Sequence, residues 1–106
     1  MEGIAVLITT PNEDEAARIG RALVDEKLAA CANIVKGVRS IYRWKGEVCD
    51  DQECLMVVKT VDERFEALER RVKELHSYDV PEIIALPILK GSEPYLNWVE
   101  ENTRLG

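Results

Sequence analysis

One stretch constrains the fold more than any other: residues 30–61 stay extended almost throughout. The run AACANIVKGVRSIYRWKGEV (29–48) is rich in β-branched and aromatic residues at strand-like spacing. Gly46 marks a turn, CLMVVKTV (54–61) returns as a second strand, and Gly37 is a candidate break in the first arm. Both arms exceed the roughly five or six residues of an ordinary strand. A hairpin this long must project past the sheet it belongs to. Ser40, Tyr42 and Trp44 share one face of the first arm, while Ile41, Arg43 and Lys45 share the other. Exposed Tyr and Trp on a projecting arm suit an interface, and the free strand edges seek a partner. Self-association is the expectation.

Strands and helices alternate around this hairpin. GIAVLITTP (3–11) is an apolar run ended by proline, which reads as a strand buried on both faces. Asn12 reads as a helix N-cap, with Glu15 completing a capping box, and Glu13, Asp14 and Glu15 suit the positive end of the helix dipole. Ala16, Ile19 and Leu23 form that helix's apolar stripe. Thr60 with Glu63 reads as a second capping box, followed by Phe65, Leu68, Val72 and Leu75 at helical spacing. EIIALPIL (82–89) is a strand that Pro87 places in part at an edge or bulge. Ser92 caps a last helix, with Pro94 in its first turn and Leu96 and Val99 facing inward. The order β-α-β-β-α-β plus a terminal helix predicts an α+β chain. The expected architecture is a ferredoxin-like sandwich with a long hairpin between its second and third strands and an extra C-terminal helix. The 106 residues make one domain, 1–106, without repeat or linker.

With 46 % hydrophobic residues the chain buries a real core. Its 20 acidic against 14 basic residues, a net charge of −6, argue against nucleic acid or an anionic membrane surface as partner. The longest apolar runs are strand-sized, far below the ~20 residues of a membrane span. No export signal is visible, so the expected compartment is the cytoplasm. Cys31, Cys49 and Cys54 are an odd set, which points to thiols and not to a disulfide framework. On one regular strand Cys49 and Cys54 face opposite sides and would meet only across a bulge. No Gly-rich phosphate loop, nucleophile elbow or HExxH helix is present, and no catalysis is expected.

His76 is the single histidine, inside KELHSYDVPEIIALPI (73–88). It has three readings: a metal ligand, an acid–base group, or the residue that closes the preceding helix by bonding its last carbonyls. Asp79 and Glu82 are near enough in sequence to share an ion with it. Asp50, Asp51 and Glu53 read as a solvated turn or a weak site for a hard cation.

EKLAACANIV (26–35), SIYRWKGEV (40–48), VVKT (57–60), LHSYDVPEIIALPI (75–88) and YLNWV (95–99) resemble the CutA family of divalent-cation tolerance proteins. The similarity runs over essentially the whole chain, in order and at the family's spacings. It implies a small cytoplasmic protein of ferredoxin-like fold. It further implies a tight homotrimer built through long hairpins that add to neighbouring sheets, with an architecture similar to PII-type signalling proteins. It implies binding of copper or another divalent cation, with no organic cofactor and no enzymatic mechanism. The alternative is a PII-like trimeric sensor of a small ligand without a specific metal site.

The ligands carry over unevenly. Some members have a cysteine on the first strand, where this chain has Ile8, and a His–His pair where it has Leu75 and His76, followed by Ser77 instead of proline. The implied metal ligand is then His76 alone, and one imidazole does not make a selective transition-metal site. Cys31, Tyr42, Trp44, Lys59, Tyr78 and Glu82 match the family pattern and are implied to line an intersubunit ligand cleft. Each has a plainer reading. Tyr42 and Trp44 serve as interface anchors before ligand stackers, Lys59 meets water or a carboxylate such as Glu82, and Tyr78 and Glu82 shape a loop. The cysteines double as small buried hydrophobes.

Overall fold

A computed structural model describes residues 2–105 and has the expected elements in the expected order. They are β1 (Gly3–Thr10), α1 (Glu13–Asp25), β2 (Cys31–Trp44), β3 (Glu47–Val61), α2 (Phe65–Leu75), β4 (Ile83–Pro87) and α3 (Glu93–Glu101). The strands make one antiparallel sheet in the order β2-β3-β1-β4, the split arrangement of a ferredoxin-like sandwich. β4 is an edge strand, which is why Pro87 fits there opposite Ile4.

Strand alternation decides where the core lies. Val6 and Ile8 of β1 and Met56 and Val58 of β3 are fully buried against Ile19 and Leu23 of α1 and Leu68 and Val72 of α2. Burying one such aliphatic side chain is worth roughly 1.5–3 kcal/mol. β1 was expected to be buried on both faces, and it is not: its residues alternate between buried and half-buried. Both large helices cover the same side of the sheet, and α3 reaches only one end of the other, where Val99 packs on Ala30 and Val61. Leu7, Val57, Ile84 and Leu86 therefore sit on a face with no layer over it.

The hairpin projects as its length requires. β3 pairs with β1 only from Cys54 onward, so residues 47–53 pair with β2 alone. The chain closes through Lys45 (φ 50°) and Gly46 (φ 81°), both in the left-handed region that a two-residue hairpin turn of this kind demands. Midway, Val35 pairs with Leu55 but Val38 pairs with Glu53, so Lys36 and Gly37 together oppose Cys54. This is a β-bulge, and Gly37 adopts φ +75°. The extra residue reverses the alternation of β2. Odd positions such as Asn33 and Val35 face the uncovered side before it, and even positions (Ser40, Tyr42, Trp44) face that side after it. Gly37→Val should cost ~1–2 kcal/mol, because a β-branched side chain resists that backbone conformation. A urea midpoint equal to wild type would show that the bulge does not need its glycine.

Three of the expected caps differ, the last of them at Ser92, which stands at the N-cap of α3 without a side-chain capping bond. Asn12 does cap α1, its Oδ1 accepting from the Glu15 N–H at 2.8 Å. The Glu15 side chain does not complete the box, because it is engaged with Ser77. Thr60 does not cap α2 at all. It is fully buried inside β3 and donates to the Leu28 carbonyl at 2.7 Å, while a 3-10 turn (Asp62–Arg64) leads into the helix. Cys31, Cys49 and Cys54 are free, and the bulge lies on β2 and not between the latter two.

Candidate functional site

α2 ends at Leu75, and the backbone of His76 is extended (φ −80°, ψ 141°), turning the chain off the helix axis. His76 N–H still bonds Val72 O at 2.8 Å, so the residue does close the helix. Its ring does not meet the last carbonyls. The Leu75 carbonyl is taken by Arg18 Nη2 at 3.1 Å, and the imidazole turns inward, with its side chain wholly buried.

Both ring nitrogens of His76 are engaged. Nε2 lies 2.7 Å from the Thr9 carbonyl at the end of β1, and Nδ1 lies 3.1 Å from the Tyr78 amide nitrogen. A carbonyl only accepts and an amide N–H only donates, so this pair of bonds fits an imidazole carrying its proton on Nε2. Nδ1 is also 3.3 Å from Glu15 Oε2. That oxygen already accepts from Ser77 N–H and Ser77 Oγ, each at 3.0 Å, so we read the amide bond and not an ion pair as the main contact. The histidine and glutamate together buckle loop 76–82 onto β1 and α1.

The buckle aims Tyr78. Its ring stands 4.8 Å from the His76 ring at 46°, and its hydroxyl donates to Glu53 Oε2 at 2.7 Å. Tyr42, across the gap on β2, donates to Asp51 Oδ2, also at 2.7 Å. The bond to Asp51 is the main force that pushes the Tyr42 phenol up to about 12. Burial, then the bond to Glu53, pushes Tyr78 up as well. Both phenols thus hold their protons and act as donors, Tyr42 to Asp51 and Tyr78 to Glu53.

Between these elements lies a cleft of about 620 Å³. Tyr42 and Trp44 form one wall, Tyr78 and Glu82 the other, and Thr9 and Glu53 line it between them. The acidic trio of the sequence is split by the strand alternation. Asp51 and Glu53 face the tyrosines, whereas Asp50 turns to the other side, where Arg39 holds its carboxyl below the usual carboxylate range through bonds of 2.6 and 2.8 Å.

Cys31 and Lys59 lie elsewhere. They are directly paired at the far end of the sheet, where Lys59 Nζ bonds the Asn33 side chain and Cys31 Sγ lies 3.7 Å from the same oxygen. Tyr95 of α3 joins them, its phenol pushed up by burial and by the thiol. Lys59 and Glu53 are both on β3, so the clusters stand roughly 20 Å apart at about 3.4 Å per residue. Within one chain Lys59 therefore does not meet Glu82, which adjoins Ile83 opposite Ile8. Among the described residues no three His, Cys, Asp or Glu side chains converge where they could hold one metal ion. Sequence reasoning missed Thr9, and it gave Glu15 and Glu53 other roles, a capping box and a solvated turn or weak cation site. Only Glu53 left a signal, since the period of two puts it on the Asp51 face.

Comparison with known proteins bears on what this arrangement serves. Residues 4–102 match the family model of the CutA1 divalent ion tolerance protein. The chain is 59 % identical over 98 residues to the divalent-cation tolerance protein CutA of Thermus thermophilus, covering 92 % of this chain and 95 % of that one. The solved structure of CutA1 from Oryza sativa superposes with a TM-score of 0.96 at 44 % identity, covering 100 % of this chain and 97 % of that one. A periplasmic divalent cation tolerance protein CutA from Archaeoglobus fulgidus gives a TM-score of 0.93 at 38 % identity, with 96 % and 99 % covered.

Proposed function

This chain belongs to the CutA1 divalent ion tolerance family, and from that premise we propose that it works as a non-enzymatic homotrimer that binds copper or another divalent cation in the cytoplasm. The observation that carries the assembly is the uncovered face of the sheet. Val35, Ile84 and Leu86 are 47 %, 49 % and 49 % exposed there, beside half-buried Leu7 and Val57. A monomer leaves this apolar face in water, while a neighbour that covers it removes it. The projecting hairpin offers unpaired edges on residues 47–53 and on β2, the means by which one sheet extends another.

The residues of one chain do not by themselves fit a transition-metal centre. Both nitrogens of His76 are bonded within the fold, and Cys31 lies at the opposite end of the sheet. The cation reading thus calls for ligands from more than one subunit, in keeping with an intersubunit cleft that joins Cys31 and Lys59 of one copy to the Tyr42–Trp44 wall of the next. Isothermal titration of the reduced protein with copper and zinc should then show saturable binding in the assembled form and none in a monomeric variant. Binding retained by the monomer overturns the shared site. The aromatic cleft favours a second reading, a small-ligand sensor of PII type, and nucleotide binding without metal binding in the same titrations would select it.

A further inference from the structure

We propose that His76 is a proton-operated latch: on taking up a second proton it exchanges the Tyr78 amide for the Glu15 carboxylate and frees the chain from Tyr78 to Glu82. This goes beyond the cation and assembly readings and depends on neither. The imidazole is wholly buried and bonded within its own chain, so a neighbouring copy has no access to it.

The geometry sets two competing partners at one nitrogen. Nδ1 lies 3.1 Å from the Tyr78 amide nitrogen, a donor, and 3.3 Å from Glu15 Oε2, an acceptor. A bare ring nitrogen serves only the first, and a protonated one only the second. In the neutral ring the Nδ1 lone pair faces a carboxylate oxygen. A proton between them turns that repulsion into a charge-assisted bond. Nε2 carries a proton in both states and keeps the Thr9 carbonyl. Around the ring, α1 supplies Glu15, while Glu53 of β3 and Tyr42 of β2 lie beyond Tyr78. The nearby cation is Arg18 of α1, whose guanidinium sits on the Leu75 carbonyl; β1 offers only the Thr9 carbonyl, and Asp79 follows in the loop itself.

What the latch holds is the loop. Among the described residues, 78–82 make no main-chain hydrogen bond other than the one from Tyr78 N–H to His76. Without it the stretch is held by the Tyr78 side chain and by its two ends, Ser77 on Glu15 and Ile83 in β4. The Tyr78 ring, 4.8 Å from the imidazole, keeps its contact with the charged form. The part set free is therefore the chain through Asp79, Val80 and Glu82, which lines the cleft. Acid loosens that wall while the fold stays closed.

The test is NMR on the full chain between about pH 8 and about pH 5, the range in which an imidazole ordinarily changes charge. A single histidine makes the ring-nitrogen spectrum unambiguous. It should show the proton on Nε2 at the upper end and on both nitrogens at the lower. Over the same range, hydrogen-exchange protection of the Tyr78 amide, corrected for the intrinsic pH dependence, should fall about tenfold or more. The His76 amide, held by the Val72 carbonyl, is the internal control and should keep its protection. Glu15→Gln still accepts from Ser77 but offers the imidazolium no charge, so the fall at Tyr78 should shrink to less than about threefold. A proton on Nδ1 at the upper end overturns the proposal, as does a ring that stays neutral down to the lower end. Equal loss of protection at the Tyr78 and His76 amides does so too, since it marks general unfolding. The same holds for an equal fall in Glu15→Gln and wild type.

Discussion

Val57→Asp is expected to turn the assembled protein into folded monomers. Val57 lies at the middle of the uncovered face, paired with Leu7 on one side and Asn33 on the other. In a single chain it is half-buried, so a carboxylate there keeps water and the fold survives. In a trimer the same carboxylate loses its water with only the Lys59 ammonium, 3.5 Å from the Val57 carbonyl, to offset it, and desolvating an ion costs several kcal/mol, ~3–4 here. At about 1.4 kcal/mol per factor of ten, that weakens each interface by two to three orders of magnitude. Sedimentation equilibrium at micromolar concentration reads the result directly. The paired change Tyr42→Ala with Trp44→Ala should act in the same direction more gently, ~2–4 kcal/mol, if those rings anchor the hairpin in a neighbour. A wild-type monomer would end the trimer reading, and a Val57→Asp trimer would mean that the bare face is not the interface.

How much of this was legible in the sequence depends on the range of the interaction. The order of elements was legible because it rests on local pattern: Ala16, Ile19 and Leu23 at helical spacing, the proline-ended apolar run of β1, and Gly46 at a turn. The bulge at Gly37 was foreseen as a break, but its consequence was not. Only the register with β3 shows that it rotates Tyr42 and Trp44 onto the Val35 face. The two capping boxes failed for a shared reason. Glu15 and Thr60 each had a local partner on paper and a distant one in the fold, Ser77 and Leu28 respectively. A buried polar group takes the partner that satisfies it best, whatever the sequence separation. The site follows the same rule. A resemblance names Cys31, Tyr42, Trp44, Lys59, Tyr78 and Glu82 as one set, yet the sheet holds the first and fourth at one end and the rest at the other.

His76→Ala carries the second large effect, and its outcome separates a structural histidine from a coordinating one. The ring is wholly buried and bridges the Thr9 carbonyl to the Tyr78 amide. Its removal opens a cavity and leaves a buried acceptor and a donor unpaired. Unsatisfied buried groups cost ~1–3 kcal/mol each and a truncated core side chain adds to that. The expected loss is ~3–4 kcal/mol, with a clear fall in the denaturation midpoint. Tyr78 depends on the same buckle, so its hold on Glu53 loosens with it. Copper and zinc affinity, by contrast, should stay within a factor of two of wild type, since neither ring nitrogen is free to coordinate. A metal-ligand histidine predicts the reverse: a fold little changed and affinity down tenfold or more, ~1.4 kcal/mol. His76→Gln sharpens the comparison, because its amide N–H can still reach toward Thr9. Partial recovery of stability in that variant supports the buckle, whereas a copper titration that collapses in both variants at unchanged midpoint would make His76 a metal ligand.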